Sequence, residues 1–228
     1  MNKNKLIFIF ALVFLFLVGC SGNGEEPEVK KEYWNNDTFI QETNYTNVSK
    51  DRIESEYYCC DKNNKKGALK WQTHYKNGEK EGLHTLWNES GGKQNEFHYK
   101  NGKAEGLETI WFETGEKMYE GTYKNGEEEG LGTGWYKTGE KRSEINYKNG
   151  KEEGLVTTWY KTGEKLSEEL WKDGKEEGLS TSWYESGEKL SEELWKNGER
   201  QREGVTVYWY KSGKRKKSIG IHTVMTGK

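Results

Sequence analysis

Two kinds of hydrophobic pattern divide the chain. An unbroken apolar run covers Leu6 to Val18, behind Lys3 and Lys5 and ahead of Gly19. As a helix those thirteen residues would reach about 20 Å at about 1.5 Å per residue, against about 30 Å of bilayer hydrocarbon. The run is too short to span and predicts a removable secretory signal over residues 1–19. From Leu69 onward apolar positions alternate with polar ones. Leu179, Thr181 and Trp183 fall on one side of an extended chain, and Ser180, Ser182 and Tyr184 on the other.

The alternation recurs with a fixed period. Tyr75-Lys76-Asn77-Gly78 returns every 24 residues, the later copies with Trp171 and Trp195 in the Tyr place. Glu-Gly, beginning at Glu81-Gly82, and Trp, beginning at Trp87, keep the same step. A sixth unit carries two extra residues, with Gln201 and Arg202 as the expected pair, before Trp209. Such a period signals an array of supersecondary units. Within one unit, Leu166 to Trp171 and Leu179 to Tyr184 suit strands, linked by Asp-Gly and followed by Ser-Gly-Glu-Lys. Both links are hairpin signals, because Gly, and to a lesser degree Asn and Asp, accept positive φ. The prediction is all-β: a single-layer antiparallel ribbon of about six hairpin units and about twelve short strands, advancing roughly 10 Å per unit.

Leu, Thr and Trp recur almost unchanged on one side of the second strands, which marks that side as the packed face. The structural ladder expected there is Trp87, Trp111, Trp135, Trp159, Trp183 and Trp209. First-strand aromatics from Tyr75 to Trp195 are expected to interleave with it where the pleat puts both on one face. The opposite side changes from unit to unit, through His84, Leu86, Ile110, Phe112, Tyr136, Tyr160, Tyr184 and Tyr210. A changing face is either unconstrained or reads a partner, and these residues are the binding candidates.

Composition alters this picture in one respect. Charged residues (32%) outnumber hydrophobic ones (31%), a balance that would argue for disorder without the 10 Trp and 14 Tyr that supply bulk to bury. Net charge is −2 with both signs interspersed, so no nucleic-acid footprint appears. The basic cluster Lys211, Lys214, Arg215, Lys216 and Lys217 suits a lysine-protected edge strand or contact with anionic headgroups. Ahead of the array (69–228), residues 51–68 read as a degenerate repeat that caps the ribbon, and 20–50 as a tether followed by a segment of unassigned structure. Cys59 and Cys60 are adjacent, and two thiolates alone do not complete a zinc shell.

Leu17-Val18-Gly19-Cys20 resembles the lipobox of bacterial lipoproteins. The resemblance implies lipid on Cys20, cleavage before it, and anchoring to a membrane of the cell envelope, the outer membrane in a diderm host because Ser21 is not aspartate. The unit itself, with Tyr-x-Asn-Gly, Glu-Gly-Leu, Trp-Tyr and Gly-Glu-Lys over about Leu69 to His222, resembles the bacterial variant of the MORN repeat. That resemblance implies β-hairpin ribbons used for scaffolding, protein contacts and sometimes lipid association, with some bacterial variants antitoxin-like.

Chemistry finds little footing. His74 and His98 share one repeat position about 10 Å apart, too far to share a zinc ion, and His84 stands on the strand between them. The glutamates at 96, 120, 144, 168 and 192 suit pairing with lysines at 93, 117, 141, 165 and 189 better than paired acid catalysis. The sequence therefore predicts no enzyme, cofactor or metal. It predicts a membrane-anchored module for an unidentified protein partner, with glycan or cell-wall binding as the alternative.

Overall fold

The computed structural model describes residues 28–34, 38–45, 51–58, 67–201 and 206–219. Among these every regular element is a strand, and all belong to one antiparallel sheet. β1 (Glu28–Trp34), β2 (Thr38–Tyr45) and β3 (Arg52–Tyr57) come first. The units begin with β4 (Leu69–Lys76), β5 (Glu79–Trp87), β6 (Lys93–Lys100), β7 (Lys103–Trp111) and β8 (Lys117–Lys124). From there each second strand is split into a two-residue arm and a longer one: β9 (Glu127–Glu128) and β10 (Gly130–Trp135), β12 (Lys151–Glu152) and β13 (Gly154–Trp159), β15 (Lys175–Glu176) and β16 (Gly178–Trp183), β18 (Glu199–Arg200) and β19 (Thr206–Trp209). The first strands between them are β11 (Lys141–Lys148), β14 (Lys165–Lys172) and β17 (Lys189–Lys196), and β20 (Arg215–Ile219) follows β19.

The turns form where the sequence places them. Asn77, Asn101, Asn125, Asn149, Asp173 and Asn197 have φ of 49–54°, and the glycine after each has φ of 72–92°. Two successive positive φ values define the type I′ turn, whose twist matches the flanking strands. At the other edge, Tyr136 donates its N–H to the Glu140 carbonyl at 2.8 Å and Gly139 donates back to Tyr136 at 2.9 Å, a pattern repeated at Tyr160 and Tyr184. Those tyrosines lie beyond the strand ends, which corrects the expectation that Tyr184 closes a strand. At Glu129-Gly130 the pairing moves from Tyr123 opposite Glu128 to Thr133 opposite Glu120, so two residues bulge outward and the pleat keeps its faces.

Two further expectations change. β3, in the segment expected to cap the ribbon, is not an edge strand, because it pairs with β4 on one side and with β2 on the other, and β1 extends the meander further. Gln201 stands in the ordinary register, its N–H on the Leu194 carbonyl at 2.8 Å just as that of Glu177 bonds Leu170. Beyond it Tyr208 rather than residue 206 opposes Ser191, and Arg202, the other expected insert, lies outside the described residues. The signal segment, Cys20, Cys59, Cys60 and His222 lie outside the described residues.

One row of residues crosses the sheet without a slip. Ser55, Gln72, Thr85, Glu96, Thr109, Glu120, Thr133, Glu144, Thr157, Glu168, Thr181, Glu192 and Val207 stand opposite one another in strand order. Their shared side is the threonine face. The small members of the row are sheltered by long neighbours: Thr85 is 3% exposed and Val207 4%. Here the packed-face expectation fails in part. Leu107, Leu131, Leu155 and Leu179 on the same face are 47–53% exposed. A single layer offers no second sheet to cover a leucine, so burial goes to short side chains between tall ones.

Candidate interaction surface

The second-strand tryptophans lie on the threonine face, where the partners of Trp111, Trp135, Trp159, Trp183 and Trp209 are lysines. Lys93 bonds Glu96 of the threonine row and holds its Nζ 5.6 Å from the Trp111 ring centre. Lys117, Lys141, Lys165 and Lys189 repeat this over Trp135, Trp159, Trp183 and Trp209 at 5.2–5.7 Å, each bonded to the glutamate three residues on. The expected lysine–glutamate pairing is therefore present in these five units. The ladder differs from the one expected, because each lysine follows one tryptophan, as Lys93 follows Trp87, and reaches the next. The first-strand aromatics point to the other side: Tyr99 opposes Gly82, Tyr123 opposes Gly106 and Trp171 opposes Gly154.

That other side is the aromatic face, and its lining does change along the array. At the start, His84 is hydrogen-bonded to Thr73 and packs among Trp71, Phe97 and Tyr99, with ring centres 6.3, 4.8 and 6.0 Å away. Burial, and then the Lys80 charge, lower its pKa from 6.5 to about 4, so it is neutral at pH 7. Leu86 opposes Trp71 and Asn95, and Ile110 opposes Asn95 and Tyr119, all half-buried. His84, Leu86 and Ile110 are thus packing residues of this face, and His98, opposite Leu83, is on the threonine face instead.

In the middle, Tyr119 donates to Glu128 at 2.8 Å and lies across Gly121 and Gly132. A Cβ on Gly121 would come within 2.6 Å of the phenolic oxygen, so only glycine lets the ring lie flat here. Burial first, then the Glu128 and Glu152 charges, push the Tyr147 hydroxyl up to about 12. Toward the end, Trp171 Nε1 donates to Glu169 at 3.2 Å, while Glu193 accepts from Tyr208 at 2.9 Å. Burial and then the neighbouring charges of Glu169 and Glu193 raise the Glu176 pKa. Carboxylates and aromatic rings share this stretch of surface.

Five binding candidates, Phe112, Tyr136, Tyr160, Tyr184 and Tyr210, prove to be turn residues. Tyr136, Tyr160 and Tyr184 donate their hydroxyls to the backbone carbonyls of Trp159, Trp183 and Trp209, at 2.7, 2.9 and 3.1 Å. They tie each unit to the next. Phe112 holds the same place without a hydroxyl, and Tyr210 is 49% exposed. A second tie runs along the opposite edge, where Glu81, Glu105, Glu129, Glu153 and Glu177 accept the N–H of the following unit's turn residue at 2.8–3.0 Å. The sequence reading missed these ties, and the signal that could have found them is the spacing: each glutamate stands 20 residues before the turn residue it serves.

A one-layer sheet whose units bond only to their neighbours defines a linear β-repeat protein. Residues 104–125, 128–149 and 176–197 each match the MORN repeat variant family model. No curated protein matches the chain.

Proposed function

We propose that the chain is a lipoprotein, anchored through Cys20, that holds a protein partner along its aromatic face as a scaffold. The observation that carries the reading is the run of Glu169, Glu176 and Glu193 along this face, with Glu169 bonded to Trp171, Glu176 opposite Trp171, and Glu193 bonded to Tyr208 and paired with Arg200 at 3.6 Å. Half-buried rings bordered by like-charged carboxylates suit a basic protein surface, since aromatic side chains supply contact area and the acids select the sign of the partner. Repetition adds avidity, because each unit offers a similar contact one step further along. Neutralisation of a basic, toxin-like protein is one form such holding takes.

Proximity labelling from the intact chain in its host supplies the partner, and binding to a Glu169→Gln, Glu176→Gln, Glu193→Gln variant tests it. The expected result is at least a tenfold loss of affinity and a steep dependence on salt for the native ribbon. Unchanged binding, or retention of the native ribbon on purified peptidoglycan, overturns the reading in favour of glycan. The anchor has its own test: Cys20→Ala abolishes incorporation of a fatty-acid probe, and unchanged labelling refutes it.

A further inference from the structure

The threonine face carries an apolar row that nothing among the described residues covers. Leu131, Leu155, Leu170, Leu179 and Leu194 are 38–53% exposed. Leu155 stands opposite Leu170, and Leu179 opposite Leu194, so β13, β14, β16 and β17 place four leucines on neighbouring strands. Charge borders this row on both sides. On β14 the lysine Lys172 lies two residues to one side of Leu170 and the glutamate Glu168 two residues to the other. On β17 the trio is Lys196, Leu194 and Glu192, and on β11 and β8 the same order holds with Asn146 and Thr122 at the centre. The lysines of this series are exposed at the turn edge, and the glutamates are half-buried beside the Lys165-type partners.

We propose that this face is the interface of a homodimer, in which a second copy packs its threonine face against the first with the two ribbons parallel. The charge order selects the geometry. A two-fold axis along the leucine row brings leucine onto leucine and swaps the flanks, so that Lys172 meets the partner's Glu168 and Glu168 meets the partner's Lys172. The alternative axis, along the strands, sets lysine against lysine and glutamate against glutamate. Face-to-face sheets pack about 10 Å apart with strand directions within about 30° of alignment. The six principal strands from β10 to β17, at about 4.8 Å each and about 26 Å long, present roughly 750 Å². That approaches the roughly 800 Å² per partner of a stable interface. Parallel ribbons also place both N-terminal ends together, as two chains anchored in one membrane require. The interface lies on the side away from the aromatic face, so it stands or falls separately from partner binding there.

The full chain in a density-matched mild detergent is examined by sedimentation, alone and as Leu170→Asp with Leu179→Asp. The expected result is a dimer for the native chain and a monomer with an unchanged far-UV spectrum for the variant. Monomeric native protein at micromolar concentration, or a variant that stays dimeric, overturns the proposal. Orientation is read in a Cys59→Ser, Cys60→Ser background with a short bismaleimide. Chains bearing Lys172→Cys are expected to cross-link to chains bearing Glu168→Cys and not to each other, and preferential coupling of Lys172→Cys to itself refutes the parallel arrangement.

Discussion

Tyr160 gives its phenolic hydrogen to the backbone carbonyl of Trp183, 23 residues ahead, at 2.9 Å. The bond joins two turns that are neighbours only because one whole unit lies between them. Tyr160→Phe removes it while keeping the ring, and is expected to cost about 1 kcal/mol. The converse substitution is informative as well. Phe112 occupies the same place in an earlier unit, and Phe112→Tyr is expected to gain about 0.5–1 kcal/mol by supplying the missing tie to Trp135. Urea unfolding of both variants checks the pair.

Gly132 has no room for a methyl group, because its Cβ would meet the Tyr119 hydroxyl and lie 3.0 Å from Tyr147. Tyr119 is held in place by Glu128, so it cannot swing aside without losing that bond. Gly132→Ala is expected to destabilise by about 1–3 kcal/mol. A second change, Tyr119→Ala, is expected to relieve most of the clash, and a double-mutant cycle reads the coupling.

His84 makes part of the stability depend on pH. Its folded-state pKa of about 4 lies below the unfolded value of 6.5, so the unfolded chain binds the extra proton first. Stability from this group is full above about pH 6.5 and is lost as pH falls toward about 4, below which the loss is constant. His84→Gln, neutral throughout, is expected to flatten that part of the profile. Urea midpoints at pH 7 and 4.5, compared between the two proteins, separate this term from the carboxylates that titrate alongside it.

Among the described residues each unit pairs with its neighbours alone, so removal of residues 141–164 in register is expected to leave a folded, shorter ribbon. Far-UV circular dichroism checks the fold. The unfolding free energy is expected to fall by roughly one unit's share, and collapse of the whole array would contradict nearest-neighbour stabilisation.

Turns and pairing were legible because they depend on local chemistry. Asn-Gly accepts positive φ wherever it occurs, and a 24-residue period fixes which strands are neighbours. Period two likewise sorted Leu179 from Ser180 correctly. It did not tell which side was sheltered, because that depends on the height of the neighbours: Val156 is 7% exposed beneath the aromatic face, while Leu155 next to it is 48% exposed. The interleaving of tryptophan with lysine was hidden for a similar reason. Lys93 follows the turn after Trp87, yet its long side chain crosses to Trp111, and sequence distance gives no measure of that reach. The ties made by Tyr160 and by the Glu-Gly glutamates joined residues 20 or more positions apart in a chain whose motifs looked self-contained.

Those glutamates also give the ribbon a direction. Glu105 accepts the Asn125 N–H and Glu129 accepts that of Asn149, always from the earlier unit to the later one. The tyrosine hydroxyls at the other edge point the same way, from Tyr136 to Trp159 and on to Trp183. A unit that emerges from a ribosome meets a finished template with both acceptor and donor already in position. The chain can thus zip from its first unit outward, and truncation is asymmetric in consequence. Loss of the last unit leaves every earlier Asn-Gly-type turn with its carboxylate and costs only the Tyr184 hydroxyl its acceptor, whereas loss of the first strips the next turn of the carboxylate that closes it.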